Sequence, residues 1–437
     1  GWHTGAIPRL GIPALKVSDG PNGARGDAFR GGKTAAVFPV GIVLAQTWNT
    51  ALIERVGVAL AEEAKTKGAQ VLLAPTVNIH RSPLGGRNFE SYSEDPYLTS
   101  RMAVAYIRGV QSQGISAMVK HYIANEQETE RYSVSSEVDE RTLREVYLPP
   151  FEAAVREADV WSIMAAYNLV NGVAASEHPR LLTDIPRGEW GWDGYMVSDW
   201  FFSVKSTAAS VNAGLDLEMP GPGIWRGAKL LAAAQAGEVN PAALDASVRR
   251  LLILLYKVGK FAQPEEIPER AVDLPAHRAL IRQAAGEGIV LLKNAGAVLP
   301  LQATELRSVA IIGPNARVAR IMGGGSSEVN AHYRIAPYEG VAAKLGETVS
   351  IGFEEGCTIH KLLPLVENTR LLAGAQGSVQ GFQIEYFNTD SPQGEPVVMV
   401  VGAGSSEMVW FGGLPAAVDP ARYAVRMTAR FTPEQSG

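Results

Sequence analysis

The stretch Tyr195-Met196-Val197-Ser198-Asp199-Trp200 has the pattern on which the fold prediction depends, an apolar run typical of a strand that ends at a carboxylate. Similar runs occupy residues 71–74, 116–119 and 161–165 before it and residues 215–217 after it. Short runs rich in apolar and β-branched residues are typical of strands that are buried on both faces of a parallel sheet. The sequence therefore predicts a sheet made of these segments.

Helical patterns alternate with these runs between about Asn49 and Gly259. One helix is predicted to begin after Asn49, a second after Asp139 and a third after Asn240, and the third ends at Gly259. Asparagine and aspartate are favoured caps at helix starts, and glycine is favoured just past helix ends. Strands that alternate with helices predict an α/β fold, here a TIM-type (β/α)8-like barrel.

Polar side chains follow the predicted strands at the point where each one ends. They are Asn78, Lys120-His121, Tyr167-Asn168, Asp199 and Glu218. In a barrel of this type the carboxyl ends of the strands form the face that carries the active site. We therefore expect these side chains to lie near one another.

The barrel-like region is assigned to residues 1–262. The composition and the hydrophobic pattern of the sequence change twice after it. Residues 263–275 carry three prolines without apolar periodicity and are interpreted as a linker. A second domain is predicted over residues 276–377, opening with a helix and followed by a strand at 309–312. From residue 378 to 437 the alternating pattern is typical of β structure.

Composition excludes several classes of protein. The chain has 437 residues, 46% hydrophobic and 19% charged, with a formal net charge of -5 and no long basic run, so nucleic acid and anionic lipid are not expected partners. The most apolar run, 251–255, is far too short to span a bilayer. Cys357 is the one cysteine, which excludes an internal disulfide and a cysteine-based zinc site. A small neutral partner is expected.

The chain begins at Gly1 without an initiator methionine or a signal peptide. We expect a further segment to precede it in the natural protein. The compartment and the oligomeric state are left open by the sequence.

Asp199 is the best placed carboxylate, because a strand end presents it and Trp200 offers an apolar face of sugar size beside it. Helix capping is the alternative explanation for such an aspartate, and the two are about equally favoured by the pattern. Lys120 and His121 suit neighbouring sugar hydroxyls, but they also fit a solvated loop, or a Schiff-base lysine as in aldolases. Asp19 has an equally good explanation as a turn residue.

The combination of motifs is more specific than any single one. Residues 17–23 read Val-Ser-Asp-Gly-Pro-Asn-Gly and 86–96 read Gly-Arg-Asn-Phe-Glu-Ser-Tyr-Ser-Glu-Asp-Pro, and Lys120-His121-Tyr122 and Val197-Ser198-Asp199-Trp200 follow in that order. Together they closely resemble glycoside hydrolase family 3. The resemblance covers nearly the whole chain, since the segment 290–294 resembles the start of that family's second, α/β sandwich domain.

The resemblance implies a role for each matching position. Asp199 matches the nucleophile that forms a covalent glycosyl-enzyme intermediate. The residues that match or line the first sugar subsite are Asp19, Arg87, Lys120, His121, Arg131, Met164, Tyr167 and Trp200. Glu90 and Asp95 lie within the family signature, and we expect them to hold the loop rather than to touch substrate.

The implied function is that of a retaining, exo-acting β-glucosidase that releases terminal non-reducing β-D-glucosyl residues from small or oligosaccharide β-glycosides. No metal or organic cofactor is implied. A β-xylosidase, a β-N-acetylglucosaminidase and a carbohydrate-binding protein without catalysis stay open as alternatives. Residues 378–437 resemble the start of a protective-antigen-type β-sandwich inserted in the second domain. We therefore expect the acid/base carboxylate beyond Gly437, with Glu328 as the alternative within the chain.

Overall fold

The computed structural model describes residues 2–28, 31–360, 365–374, 377, 379–404, 414–419 and 422–433. Its strands are β1 Val17–Asp19, β2 Val71–Leu73, β3 Ser116–Tyr122, β4 Ser135–Ser136, β5 Ser162–Ala165, β6 Leu169–Val170, β7 Val173–Ala174, β8 Tyr195–Ser198, β9 Ser308–Ile312, β10 Ser350–Glu354, β11 Leu371–Ala373, β12 Val379–Gln380, β13 Phe382–Phe387, β14 Val398–Ala403, β15 Ala424–Thr428 and β16 Arg430–Phe431. Its α-helices are α1 Gly41–Gln46, α2 Thr50–Thr66, α3 Pro96–Gln111, α4 Glu140–Thr142, α5 Pro149–Ala158, α6 Ala208–Asn212, α7 Ala228–Gln235, α8 Pro241–Lys257, α9 Pro275–Glu287 and α10 Pro337–Leu345.

A parallel sheet of five strands, in the order β1-β2-β3-β5-β8, forms the centre of the first part of the chain. Val17 pairs with Val71, and Met164 pairs with Val197, so all five strands run in one direction. Every residue of these strands is buried, which confirms the prediction from the apolar sequences of β2, β3, β5 and β8. The carboxyl ends of the strands therefore meet at one edge of the sheet.

The predicted helices begin where the caps indicated. Asn49 accepts a hydrogen bond from the Leu52 amide at 3.1 Å at the start of α2, and Asn240 accepts one from the Ala242 amide at 3.0 Å at the start of α8. Asp139 caps α4 through the Thr142 amide at 2.9 Å. Helices α2, α3 and α5 bury their apolar residues in one large core with the outer face of the sheet.

Two details of the predicted barrel differ from the structure. The central parallel sheet of the described residues has five strands, and residues 215–217 join it only by a single bridge between Val197 and Leu217. The side chain of Asp216 explains the short pairing, because its Oδ2 accepts the Met196 amide at 2.7 Å in place of a backbone carbonyl. The second difference is β1, a three-residue strand that lies outside the predicted strand segments and ends at Asp19.

The chain divides into two compact units. The first comprises residues 1–311 and 315–352, and the second comprises residues 312–314 and 353–437. In the first unit the predicted linker has no helix or strand up to residue 274, and α9 begins at its last residue, Pro275. The linker is fixed to the barrel where Lys16 donates to Glu269 at 2.9 Å and the Arg270 amide donates to the Thr66 carbonyl. The domain boundaries stay a prediction.

The second unit contains β-strands and no α-helix over its described residues. Strand β13 is central in a three-stranded antiparallel sheet with β14 and β15, which confirms the predicted strand at residues 382–387. A small core of Ile384, Tyr386 and Val418 packs on this sheet. Several residues of the predicted inserted module, 405–413 and 434–437 among them, lie outside the described residues.

Candidate active site

The parallel sheet brings most of the predicted site residues to one edge. Asp19 ends β1, Lys120 and His121 lie in the last half of β3, and Asp199 directly follows β8. Tyr167 comes two residues after β5. Because these strands are neighbours in a parallel sheet, residues that are up to 180 positions apart in sequence lie in one cluster.

Asp199 is buried, with 7% of its surface exposed. Its Oδ1 accepts the Trp200 amide at 2.7 Å, whereas in the part of the chain that the structure describes Oδ2 has no hydrogen-bond donor with regular geometry. Burial raises the pKa of Asp199, although the charges of Arg87, Lys120 and Arg131 offset part of that rise. Asp199 thus has one oxygen held by a backbone amide and one without a regular donor, and the phenol of Tyr167 also interacts with this carboxylate.

Asp19 and Lys120 form a buried ion pair, in which Lys120 Nζ donates to Asp19 Oδ1 at 2.9 Å. The Gly20 amide donates to the same oxygen at 2.8 Å. Burial acts to raise the pKa of Asp19, but the charges of Lys120, Arg25 and Arg87 outweigh it and the pKa is lowered. Asp19 is therefore ionised, and its second oxygen retains acceptor capacity for a hydroxyl group.

Arg87 is fixed by two groups on opposite sides of its guanidinium. Its Nε pairs with Glu90, and its Nη1 lies 2.9 Å from His121 Nε2. Glu90 is buried, and its other oxygen accepts the hydroxyl of Thr76 at 3.1 Å. Glu90, which we expected to hold the loop, thus holds the arginine in place, and Asp95 caps α3 through the Tyr97 amide at 2.9 Å.

His121 is neutral in this setting. Burial lowers the pKa of its imidazole well below the usual value, and the charges of Arg87, Lys120 and Arg131 act in the same direction. Its Nε2 lies 3.7 Å from Asp199 Oδ2, beyond hydrogen-bond distance. The imidazole therefore stands beside the open carboxylate oxygen without occupying it.

An aromatic and cationic group forms another side of the site. Arg131 lies over the Tyr167 ring at 4.6 Å and over the Tyr132 ring at 5.0 Å, and its Nη1 donates to Glu128 at 2.6 Å. Burial and the negative charge of Asp199 raise the pKa of Tyr167, so its phenol keeps its proton and can donate it in a hydrogen bond.

Trp200 lies at the rim of the site, with its ring centroid 5.3 Å from that of Trp2. Arg25 stacks on the Trp2 ring at 4.5 Å. Met164 is fully buried among the residues that fill the interior of the sheet, where Trp200 packs on the same group. A partly exposed indole beside a carboxylate gives a flat apolar surface of the kind that a sugar ring can cover.

The sequence of the chain matches two family profiles. Residues 5–254 match the glycosyl hydrolase family 3 N terminal domain, and residues 289–425 match the glycosyl hydrolase family 3 C-terminal domain. The chain belongs to glycosyl hydrolase family 3. Its first part is thus the barrel-type domain of the family and its later part the C-terminal α/β domain. An inserted β-sandwich module stays a prediction.

Known β-glucosidases match all or most of the chain. A β-glucosidase of Rhizobium radiobacter is 53% identical over 438 residues, which cover 100% of this chain and 52% of the relative. A β-glucosidase of Kluyveromyces marxianus solved in complex with glucose has a TM-score of 0.80 at 38% identity, covering 100% of this chain and 54% of that one. β-Glucosidase 3B of Thermotoga neapolitana, also solved with glucose, has a TM-score of 0.73 at 38% identity, covering 81% and 49%. The chain spans about half the length of the curated relatives it matches.

Two contributors to the site were not singled out from the sequence for their roles. Asn78 was noted only as a polar residue after a strand, yet its side chain contacts both the backbone and the ring of His121. Ser326 accepts from Arg25 through its carbonyl oxygen and lies 3.5 Å from Arg87 through its hydroxyl. The glycine-rich loop 323–328 thus lines the site, as the sequence predicted, and a side chain at Gly323 would collide with the Phe89 ring.

Within the described residues no group of three histidine, cysteine, aspartate or glutamate side chains is arranged to hold a metal ion. The helices of the described regions also include none that is long and apolar enough to cross a membrane.

Proposed function

We propose that this family 3 protein is a retaining β-glucosidase that releases terminal non-reducing β-D-glucosyl residues, with Asp199 as its nucleophile. The observation that carries the proposal is the open Oδ2 of Asp199 at the end of β8, within a cluster of hydroxyl-binding side chains. Structures of related β-glucosidases with bound glucose support a glucose-sized ligand for this site.

Asp199 Oδ2 would attack the anomeric carbon while the bond to the leaving oxygen breaks, forming a glycosyl ester on the aspartate. A general acid protonates that oxygen as it departs. Water then attacks the anomeric carbon, the same group takes its proton as a base, and the ester bond breaks with the configuration restored. Arg87 and Lys120 favour the ionised form of Asp199 that this first step requires.

The buried charges beside Asp199 suit the hydroxyl groups of a pyranose. Asp19 can accept hydroxyl protons, whereas Lys120 and Arg87 carry donors, so adjacent hydroxyls can be bound as donor and acceptor in turn. Buried charged groups that lack their ligand hydroxyls stay poorly satisfied, which gives selectivity for a sugar that supplies them. Lys120 Nζ is engaged with Asp19 at 2.9 Å, and this arrangement argues against a Schiff-base lysine.

The general acid is a separate group from the carboxylates of the family signature. Glu90 is paired with Arg87, and Asp95 caps α3, so both are committed to structure. Glu328 is exposed on the loop next to Arg25 and stays the candidate within the chain. A retaining enzyme needs the two carboxyl groups about 5–5.5 Å apart.

Steady-state rates on p-nitrophenyl β-D-glucoside, β-D-xyloside and N-acetyl-β-D-glucosaminide test the proposal. The glucoside should be hydrolysed fastest, and Asp199→Ala should lower its rate by several powers of ten, because it removes the covalent step. Asp193→Ala is the matched control, since Asp193 pairs at the surface with Arg249 at 2.6 Å.

Three results would contradict the proposal. Retention of more than about a tenth of the wild-type rate in Asp199→Ala would remove the nucleophile assignment. Faster hydrolysis of the xyloside or the glucosaminide would change the substrate. Binding of glucose without turnover of any aryl glycoside would favour a carbohydrate-binding protein.

A further inference from the structure

Asn78 contacts His121 through both the oxygen and the nitrogen of its side-chain amide. Its Oδ1 accepts the backbone amide of His121 at 2.9 Å and lies 3.1 Å from the ring Nδ1. Its Nδ2 donates to the carbonyl oxygen of His121 at 3.0 Å. Both residues are buried, so these bonds form away from water, where leaving one unmade is costly.

These contacts decide which nitrogen of His121 carries the proton. Because Asn78 Oδ1 can only accept, Nδ1 must carry the hydrogen, and Nε2 then presents a lone pair. That lone pair faces Arg87 Nη1 at 2.9 Å, and a guanidinium can only donate. The two neighbours of the imidazole thus select the same neutral tautomer.

Glu126 fixes the orientation of the Asn78 amide. Its Oε1 lies 3.4 Å from Asn78 Nδ2 and also accepts the Ile79 amide at 3.3 Å. A flipped amide would turn an oxygen toward Glu126 and an NH2 group toward the amide of His121, placing acceptor against acceptor and donor against donor. The amide therefore has one satisfactory orientation.

We propose that Asn78 is a positioning residue for glycoside hydrolysis, which holds His121 as the neutral tautomer and so fixes Arg87 beside Asp199. The proposal rests on the proposed function. The charged groups that face the imidazole are Arg87, Lys120, Arg131 and Asp199, and Glu126 lies behind Asn78.

A protonated His121 would disturb the nucleophile in two ways. Its Nε2 would become a donor and could no longer accept the hydrogen bond from Arg87. The positive charges of Arg87 and the imidazolium would then repel each other. The new donor would point toward Asp199 Oδ2, which is 3.7 Å away, and an ion pair there would make the attacking oxygen less reactive. Asn78 opposes this change because a neutral acceptor favours the imidazolium much less than a carboxylate would.

The isosteric variant Asn78→Asp tests the proposal through the pH dependence of kcat/KM on an aryl β-glucoside. Burial raises the pKa of Glu126 to about 7, so Glu126 can take up a proton and donate it to the introduced carboxylate in place of the lost amide. That carboxylate, held in its charged form, then stabilises the imidazolium of His121. We expect the acidic limb of kcat/KM to move upward by about one pH unit or more, as for a titrating group with a new opposite charge.

Two comparisons separate positioning from simple damage. Asn168→Asp is the matched control, since Asn168 is also buried and donates to the Ile123 and Leu169 carbonyls at 3.2 and 3.0 Å. It should lose similar thermal stability but keep the acidic limb of wild type. In a His121→Asn background, Asn78→Asp should no longer move the limb, because the titrating imidazole is gone.

An active Asn78→Asp enzyme with the wild-type acidic limb would overturn the proposal, and so would an equal shift in the His121→Asn background. Should Asn78→Asp not fold, Asn78→Ser is expected to lower kcat/KM at the optimum by about tenfold to a hundredfold through misplacement of Arg87, and an unchanged value would overturn the proposal. Wild-type protein without activity would instead refute the proposed function.

Discussion

At the scale of single residues, the site depends on charges that are buried together. Lys120 and Asp19 expose 1% and 7% of their side chains, so each charge is stabilised mainly by the other. Removing one partner of such a pair is far more costly than removing both, since the remaining charge is left in a poorly polarisable environment. The two groups that we propose to bind the sugar should therefore also be important for the fold.

Lys120→Met is expected to lower the free energy of unfolding by about 3–5 kcal/mol, because Asp19 then stays buried without its partner. The double variant Lys120→Met with Asp19→Asn should recover part of that loss. Urea denaturation of the three proteins measures both effects.

Lys257→Met provides the surface control for this pair. Lys257 lies 3.4 Å from Asp159, whose side chain is 81% exposed, and such pairs contribute about 0–1 kcal/mol. A loss in Lys120→Met no larger than in Lys257→Met would contradict the account. A double variant less stable than Lys120→Met alone would do so as well.

The residues that sequence could predict were those whose role depends on local pattern. The positions of Asp199 and Lys120 are marked by an apolar run of the sequence that ends just before each of them, and that of Arg87 by a distinctive motif. Asn78 could be placed near the site but not given a role, because its partner His121 is 43 positions away. Glu218 was expected at the site, yet it accepts the amides of residues 224–226 and holds a loop.

At the scale of elements, the buried contact between α9 and α2 depends on one histidine. His277 of α9 lies with Nδ1 2.9 Å from Glu63 and Nε2 2.7 Å from Glu62, both on α2. The hydrogen bond to Glu63 raises the pKa of His277 above its usual value, against the effect of burial, and Glu62 adds to the rise. The charged imidazole thus holds α9, the helix that follows the predicted linker, against α2.

His277→Gln is expected to reduce thermal stability in a pH-dependent way. Since the pKa of His277 is raised in the folded protein, its contribution is complete below the unfolded value of about 6.5 and is lost as the pH rises through the folded value. The difference in unfolding midpoint between wild type and His277→Gln should therefore be larger at about pH 6 than at about pH 9.

The control for this measurement is His332→Gln, at a histidine whose Nδ1 lies 2.9 Å from the Thr34 hydroxyl rather than from a carboxylate. It removes a hydrogen bond to a hydroxyl and no ion pair, so it measures the cost of a histidine-to-glutamine change without the carboxylates. A His277→Gln difference that is constant or grows toward high pH would show that the imidazole acts as a packed neutral group.

Helices and strands were predictable where the capping residues, the hydrophobic periodicity and the apolar segments indicated the same element. Helix α8 has a capping asparagine, a proline at its first position and a glycine after its end, and its bounds follow these signals. Residues 215–217 carry a strand-like run, but Asp216 is bound by Arg187, Arg250 and Ser247, and these side-chain contacts decide its conformation. Tertiary contacts of this kind are not visible in a local pattern.

At the scale of the whole molecule, the order of motifs along the chain was sufficient to indicate the family. The match to both family 3 domains over residues 5–254 and 289–425 confirms that resemblance. The acid/base carboxylate is harder to predict from the sequence, because a retaining pair is defined by a distance in space and not by spacing in sequence. The proposed activity depends on Asp199 as the nucleophile.

Trapping of the glycosyl-enzyme intermediate tests that claim most directly. A 2-deoxy-2-fluoro-β-D-glucoside with a dinitrophenyl leaving group forms the ester but slows its hydrolysis, so the labelled peptide can be identified by mass spectrometry after digestion. We expect one sugar per active protein, attached to Asp199, and no label in Asp199→Ala. A label on any other carboxylate, Glu328 included, would contradict the account.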